Sequence, residues 1–518
     1  MVCKQALLCL ATLLCVVSTV SAIGSHRAIK FMNNKMYKGA KEYFDEYSKL
    51  GTAQMKYFST KVDNFNASNE DTFPMRYIVD KTFYDPAKPG PILFYAGNEG
   101  AIEGFYNNSG FLTKTLAQEF GGFVVFAEHR FYGESVPPNG FEKENLKYLS
   151  VVQVMMDYVK LLEYVKELNP ELQSQPAFLF GGSYGGMLAA WIRMKYPTHF
   201  QGAIASSAPI LWFRGATNPS AYTEIASSVI KKMGGEACFN GHKYGFYDLQ
   251  NVMYDATKYP MIKEVFNLCD DITKPEDVST LIASISDMIG TMSMVNYPYP
   301  TNFVADLPAW PIKAACDKMA LIPDVNETKP SNETGVFQFN NIQKLRESAN
   351  LFYNNSGSMQ CLNLTENDEG ALDGQGWEIQ TCNEFPMPQG DDPSQSCFTW
   401  NNWDEFQFTQ DCKANYDLTP KYDWALDYFG GRDPSKDFKD YTNIVFANGD
   451  LDPWHGGGVN KNITANTIAL YIKDSAHHLD LREPNPADPP SVTSARATEA
   501  AYIRKWIQEH AEKTKLIQ

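Results

Sequence analysis

Basic charge is in short supply. The chain carries 45 Lys and Arg against 61 Asp and Glu, a net charge of −16 over 518 residues. A surface of that sign repels a phosphate backbone, so no nucleic-acid partner is expected. Protonation would relieve the self-repulsion, which suits a fold that works in an acidic compartment; ordinary solubility explains the same charge equally well. Long apolar runs are missing beyond the first two dozen residues, so no later segment can span a bilayer and no membrane anchor is expected. There is no Cys-x-x-Cys pair and no Cys/His spacing of a metal ligand set, which leaves no metal or other cofactor expected. Internal repeats and low-complexity tracts are absent. The chain ends Lys515-Leu516-Ile517-Gln518, without a Lys-Asp-Glu-Leu type retention signal. Histidine is scarce as well, with eight in all.

What is present begins with a leader. Residues 1–22 combine Lys4, an apolar stretch over 6–17 and the small-residue end Val20-Ser21-Ala22, the pattern of a cleaved secretory signal peptide. Seven Asn-x-Ser/Thr sequons agree with that route: Asn66, Asn107, Asn326, Asn332, Asn354, Asn363 and Asn462. Of ten cysteines, Cys3, Cys9 and Cys15 lie in the leader. Cys238, Cys269, Cys316, Cys361, Cys382, Cys397 and Cys412 remain, and in an oxidising compartment they read as disulfides with one left over. A secretory, lysosomal or extracellular location is expected.

The stretch at 176–197, PAFLFGGSYGGMLAAWIRMKYP, reads as strand, sharp turn and helix. Its turn contains Gly-x-Ser-x-Gly with Gly181, Ser183 and Gly185 in the fixed places. In that context it is a nucleophile elbow, which lifts a serine hydroxyl clear of the sheet. Around it, strands are expected at 57–62, 72–79, 91–96, 122–127 and 201–206, with helices at 107–120 and 149–168 and a polar, helix-leaning arm at 23–50. Strand–helix alternation of this kind means a mainly parallel sheet covered on both faces. The rhythm stops near 211 and resumes near 435, with strands at 443–447 and 467–472 and a closing helix at 494–509. An α/β-hydrolase sheet domain over 23–210 and 435–518, interrupted by a mainly helical cap over 211–434, is the expected architecture. The insert enters after the strand that follows the elbow, and so is expected to restrict access.

A serine nucleophile needs a base and a carboxylate to orient it, in the chain order Ser, Asp or Glu, His. The two returning strands run into Asn448-Gly449-Asp450-Leu451-Asp452-Pro453-Trp454 and Asp474-Ser475-Ala476-His477-His478. Elimination among the histidines leaves His477 and His478, of which His477 is taken as base with His478 as its support. Asp450 and Asp452 compete for the acid. Asp452 is preferred because Pro453 stiffens the turn after it and Asp450 lies nearer the strand end. The oxyanion donors should be the amides of Tyr184 and Asn98. Glu99, in the same loop as Asn98, is expected to hold Arg130 or a substrate amine, or simply to stabilise the loop.

With these residues placed, the chain resembles the family of serine peptidases that cleave after proline, which includes lysosomal Pro-X carboxypeptidase, dipeptidyl peptidase II and thymus-specific serine protease. The motifs that carry the resemblance are GNEG at 97–100, AEHRFYGES at 127–135, GGSYGGMLAAW at 181–191, LPAWPIKAAC at 307–316, NGDLDPWHGGG at 448–458 and AHHLDLR at 476–482. It implies the triad Ser183, Asp452 and His477, a helical cap of the type called SKS, and an acidic vesicle. It also implies a proline pocket at Met187 and Trp454, and disulfides Cys238–Cys316, Cys269–Cys361 and Cys382–Cys412 with Cys397 over. The AEHRFYGES and LPAWPIK motifs lean towards the carboxypeptidases. The expected activity is therefore removal of the residue after a penultimate proline from short peptides, by a chain that is a possible homodimer. Release of N-terminal X-Pro dipeptides is the alternative. An esterase or lipase, and an inactive secreted binding module on the same fold, are further alternatives.

Overall fold

The computed structural model describes residues 53–323, 338–364, 372–399 and 402–517, with Lys41 and Phe44. The signal-peptide expectation at 1–22, most of the arm at 23–50, and the sequons Asn326 and Asn332 lie outside these residues.

Eight strands form one sheet: β1 (Gln54–Lys61), β2 (Thr72–Asp80), β3 (Ile92–Ala96), β4 (Phe123–Ala127), β5 (Ala177–Gly182), β6 (Gly202–Ser206), β7 (Ile444–Gly449) and β8 (Thr467–Ile472). Their order is β1-β2-β4-β3-β5-β6-β7-β8. The pairs β1–β2 and β2–β4 are antiparallel, and every pairing from β4 through β3 to β8 is parallel. The helices used below are α1 (Ile102–Asn108), α2 (Val151–Leu168), α3 (Tyr184–Lys195), α4 (Ala221–Val252), α5 (Pro275–Met294), α6 (Pro311–Met319), α7 (Phe339–Tyr353), α8 (Leu372–Asn383) and α9 (Pro490–Ile517). A central parallel sheet with helical crossovers in this order is the α/β-hydrolase fold, here with a helical insert between β6 and β7.

The central strands are buried along their whole length, which is why they read as unbroken apolar runs. Successive side chains leave a strand on opposite faces. Leu93, Tyr95, Val124, Phe126, Phe178, Phe180, Ile204 and Val445 pack in one cluster with Phe105 of α1 and Ile503 and Trp506 of α9. The alternate residue Phe94 points to the other face, where its ring meets Tyr158 of α2 at 5.7 Å.

Two segments differ from expectation. The helix expected over 107–120 starts earlier, at Ile102, and is interrupted at Ser109. A π-helical turn then occupies Phe111–Leu116. At the interruption a β-carbon on Gly110 would lie 2.4 Å from Glu483, so the chain bends where another segment crosses it. The closing helix runs over Pro490–Ile517, well beyond 494–509 at both ends.

The described residues divide into two compact units, of which one holds 53–217, 372–387 and 416–517 and the other holds 218–323, 338–364, 388–399 and 402–415. The helical unit is thus narrower than the insert expected over 211–434: 211–217, 372–387, which carries α8, and 416–434 group with the sheet. The reason is packing. Phe385, just past α8, stacks on Trp191 of α3 at 5.7 Å, and Phe429 stacks on the same indole at 4.2 Å.

The second unit is helical. Buried Ile230, Phe246 and Leu249 of α4 share its interior with Ile285 and Ile289 of α5, Ile312 of α6 and Ile342 and Leu345 of α7. Disulfide Cys238–Cys316 ties α4 to α6, and Cys269–Cys361 closes a second link. Cys412 is disulfide-bonded as well. Cys397 is a free, buried thiol, and burial pushes it up to about 12. Such a thiol stays protonated and unreactive.

Candidate active site

Ser183 sits between β5 and α3 with φ 59° and ψ −130°, a conformation that costs a non-glycine residue of order 1–3 kcal/mol. The turn closes this tightly only because glycines flank it. A β-carbon on Gly181 would lie 2.0 Å from the Gly185 carbonyl oxygen, and one on Gly185 would lie 2.7 Å from that of Ala96. The Ser183 amide donates to the Ser206 carbonyl at 3.0 Å, and the Ser183 carbonyl accepts the first helical bond, from Met187 at 3.1 Å. Tyr184 therefore opens the helix, among amides that have no carbonyl one turn back to bind.

The loops after β7 and β8 bring the other candidates together. His477 Nδ1 lies 2.8 Å from Asp452 Oδ2. Asp452 is fully buried, and its Oδ1 accepts from the Trp454 amide at 3.0 Å. Of the two aspartates weighed, Asp452 thus has its carboxylate on the imidazole, while Asp450 pairs its amide with Ile472 at 2.9 Å. Donation from Nδ1 to a carboxylate fixes the tautomer and leaves the Nε2 lone pair to take a proton.

The His477 loop is clipped to the end of β6, whose Ser206 carbonyl also holds the elbow amide. The His478 amide donates to Ser207 Oγ at 2.8 Å, and Ser206 Oγ donates to Asp480 Oδ1 at 2.7 Å. The His478 ring covers Gly182, where a β-carbon would meet it at 2.9 Å. Burial and the neighbouring His477 and Arg482 hold His478 well below the usual imidazole range, so it is neutral.

Asn98 is buried, its Nδ2 donates to Glu99 Oε2 at 2.9 Å, and its Oδ1 has no partner. Glu99 is half-buried, and desolvation raises its carboxyl. The expectation that Glu99 holds Arg130 is corrected. Arg130 is fully buried and grips Asp157 twice, at 2.6 and 2.7 Å, together with the carbonyls of Lys61, Val62 and Tyr148. Five donors on one planar group leave nothing for Glu99. Met187 is buried in α3; Trp454 is half-buried, its ring edge-on to Trp212 at 5.0 Å.

Sequence reasoning missed four residues here: His129, Tyr132, Gln380 and Asp157. Tyr184 Oη lies 3.0 Å from His129 Nε2 and 2.6 Å from Gln380 Nε2, and Tyr132 Oη donates to Gln380 Oε1 at 2.8 Å. His129 and Tyr132 sit in the AEHRFYGES motif, but their target is visible only in three dimensions. The fourth is Asp157. A carboxylate on the apolar stripe of α2, between Val154 and Leu161, was the available sign of a buried cation.

Behind the His477 loop lies a carboxyl pair. Asp480 and Glu499 are both buried and hydrogen-bond each other through a shared proton, and no other group donates to Asp480 Oδ2 or to either Glu499 oxygen. Arg496 turns instead to Asp488 and to the carbonyls of Leu479 and Asp480. Burial raises both carboxyls, Glu499 well above its ordinary value, and their mutual repulsion adds to the Glu499 shift. A group raised on folding stabilises fully below its unfolded pKa, and that stability is lost as pH rises through its folded pKa. Glu499→Gln should therefore flatten the melting profile: the Tm difference from wild type should grow in favour of the variant from pH 4.5 to pH 8. A constant difference would mean that the pair does not share a proton.

A serine at a strained strand–helix turn, with a histidine anchored on a buried aspartate across the same sheet edge, defines the serine hydrolases of the α/β-hydrolase class. Residues 60–499 match the model of the family described as "Serine carboxypeptidase S28", and the chain belongs to it. It is a serine peptidase. The chain is 36% identical to lysosomal Pro-X carboxypeptidase of Bos taurus over 460 residues, 88% of each chain. It is 34% identical to "Prolyl carboxy peptidase like protein 5" of Caenorhabditis elegans over 480 residues, 88% of this chain and 90% of that one. It is 26% identical to the thymus-specific serine protease of Mus musculus over 459 residues, 86% of each.

Proposed function

We propose that the chain is a Pro-X carboxypeptidase, releasing the C-terminal residue that follows a proline in short peptides. The observation that carries this reading is the 36% identity to lysosomal Pro-X carboxypeptidase across 88% of both chains, joined to the Asp452–His477 pair behind the elbow serine. Ser183 Oγ attacks the prolyl carbonyl and gives its proton to His477 Nε2. Asp452 holds the imidazole and balances its charge. The amides of Tyr184 and Asn98 stabilise the tetrahedral oxyanion, the leaving amine takes the proton from His477, and water then hydrolyses the acyl-enzyme by the same route. Met187 and Trp454 are assigned to the proline ring, which is compact and apolar and suits a thioether and an indole face.

Glu99 supports one competing reading. A half-buried carboxyl beside the site is the group that would meet the amine of an N-terminal X-Pro dipeptide. Mass spectrometry of two peptides separates the readings, one with a penultimate C-terminal proline and one with proline second from the N-terminus, at about pH 5 and pH 7. Loss of one C-terminal residue is expected. Release of an N-terminal dipeptide would overturn the carboxypeptidase assignment and move Glu99 into the amine site.

A secretory route ending in a lysosome or outside the cell fits the disulfides. Burial raises Glu384 to about 7, in the same direction as Asp480 and Glu499, so these three buried carboxyls are accommodated better in acid. Among the sequons, Asn66 and Asn462 are exposed, whereas Asn107, Asn354 and Asn363 are half-buried. In a secreting host, peptide mapping should find glycan on Asn66 and Asn462; both sites bare would contradict that route.

A further inference from the structure

We propose that Gln380 of α8 is a positioning residue for the oxyanion site, acting through the side chain of Tyr184. This rests on the serine-peptidase reading of Ser183. The hydrogen bonds run in one direction. His129 Nδ1 lies 2.5 Å from the Arg130 carbonyl, which can only accept, so Nδ1 carries the proton. Burial pulls His129 down to about 3, so the ring is neutral and its Nε2 is an acceptor. The single proton of Tyr184 Oη must then go to His129 Nε2, at 3.0 Å. That leaves the Tyr184 oxygen as acceptor, and the group that donates to it is Gln380 Nε2, at 2.6 Å. The other end of the amide accepts from Tyr132 Oη at 2.8 Å.

An amide donates at one end and accepts at the other at every pH. Gln380 and Tyr184 are buried, and the Tyr184 ring is further held by Phe385 at 5.1 Å and Trp377 at 5.6 Å. Tyr184 has one backbone amide, assigned to the oxyanion, and one side chain, fixed by α8. A helix about two hundred residues downstream thus sets where that amide points.

Because the oxyanion exists only in the transition state, loss of positioning lowers kcat and leaves KM nearly unchanged. Gln380→Ala should lower kcat about tenfold with KM within about twofold, since sub-ångström displacement already costs rate. Tyr184→Phe should cost a similar factor, and Gln380→Ala in that background should add less than about twofold.

Gln380→Glu keeps the size and is the sharper test. An ionised carboxylate cannot donate to Tyr184, but a protonated one donates and accepts as the amide does. Its surroundings are the hydroxyls of Tyr132 and Tyr184, neutral His129, and the nearby carboxyls of Glu384 and Glu99. Those groups also titrate in wild type, so they cancel in a ratio. The kcat of Gln380→Glu relative to wild type should rise as pH falls from 7 to 5. A flat or falling ratio would overturn the proposal. So would wild-type kcat in Gln380→Ala, or a full tenfold loss from Gln380→Ala in the Tyr184→Phe background. Fluorophosphonate labelling of wild-type Ser183 is run beside these assays. If wild type fails to label, the serine-peptidase reading falls; if it labels while the kcat results fail, only the Gln380 role falls.

Discussion

Asp452→Asn is expected to lower kcat about ten-thousandfold while the protein still folds. The Asp452 carboxylate accepts from His477 Nδ1 at 2.8 Å and from the Trp454 amide at 3.0 Å. An amide of the same shape keeps one of these acceptors and replaces the other with an NH2 group. The backbone amide of Trp454 can only donate, so it claims the amide oxygen and turns the NH2 towards His477. The imidazole must then accept at Nδ1 and carry its proton on Nε2, where it can no longer deprotonate Ser183. Circular dichroism should be unchanged, and peptide turnover at about pH 5 reads the loss. A fall of less than about tenfold would mean that another group orients His477.

The second large effect concerns stability. Arg130→Met is expected to cost about 3–5 kcal/mol, because it leaves Asp157 charged and fully buried. Asp157 would keep only Thr60 Oγ1 at 2.8 Å and Asn64 Nδ2 at 2.7 Å, and the carbonyls of Lys61, Val62 and Tyr148 would lose the Arg130 donors. Removing the charge as well, in Arg130→Met/Asp157→Leu, should recover part of the loss, since an apolar pair avoids the uncompensated ion. Urea unfolding of wild type and the two variants measures this. A double variant less stable than Arg130→Met would contradict it.

Both effects involve residues that differ in how far the sequence exposes them. The elbow is readable because its chemistry is local: Gly181, Ser183 and Gly185 are needed within five residues by one tight turn. The strands of the sheet core are readable because burial on both faces makes them short unbroken apolar runs. Asp452 and His477 follow from chain order and from the scarcity of histidine. The partners of Arg130 and Tyr184 are a different matter. Asp157, Gln380, Trp377 and Phe385 lie far along the chain from what they touch, and no periodicity links a glutamine in an irregular insert to a tyrosine at the elbow. The helical unit is narrower than the insert for the same reason. Residues 370–387 lack strand–helix alternation and so look like insert, yet Phe385 and Trp377 pack on the elbow helix.

The central claim is that Ser183 is the nucleophile, and mass spectrometry of the protein after reaction with a fluorophosphonate tests it most directly. The account predicts one adduct, on the peptide that contains Ser183, with peptidase activity lost in proportion to labelling and no adduct in Ser183→Ala. Peptide cleavage that persists in Ser183→Ala, or an adduct that maps to another residue while activity disappears, would contradict it.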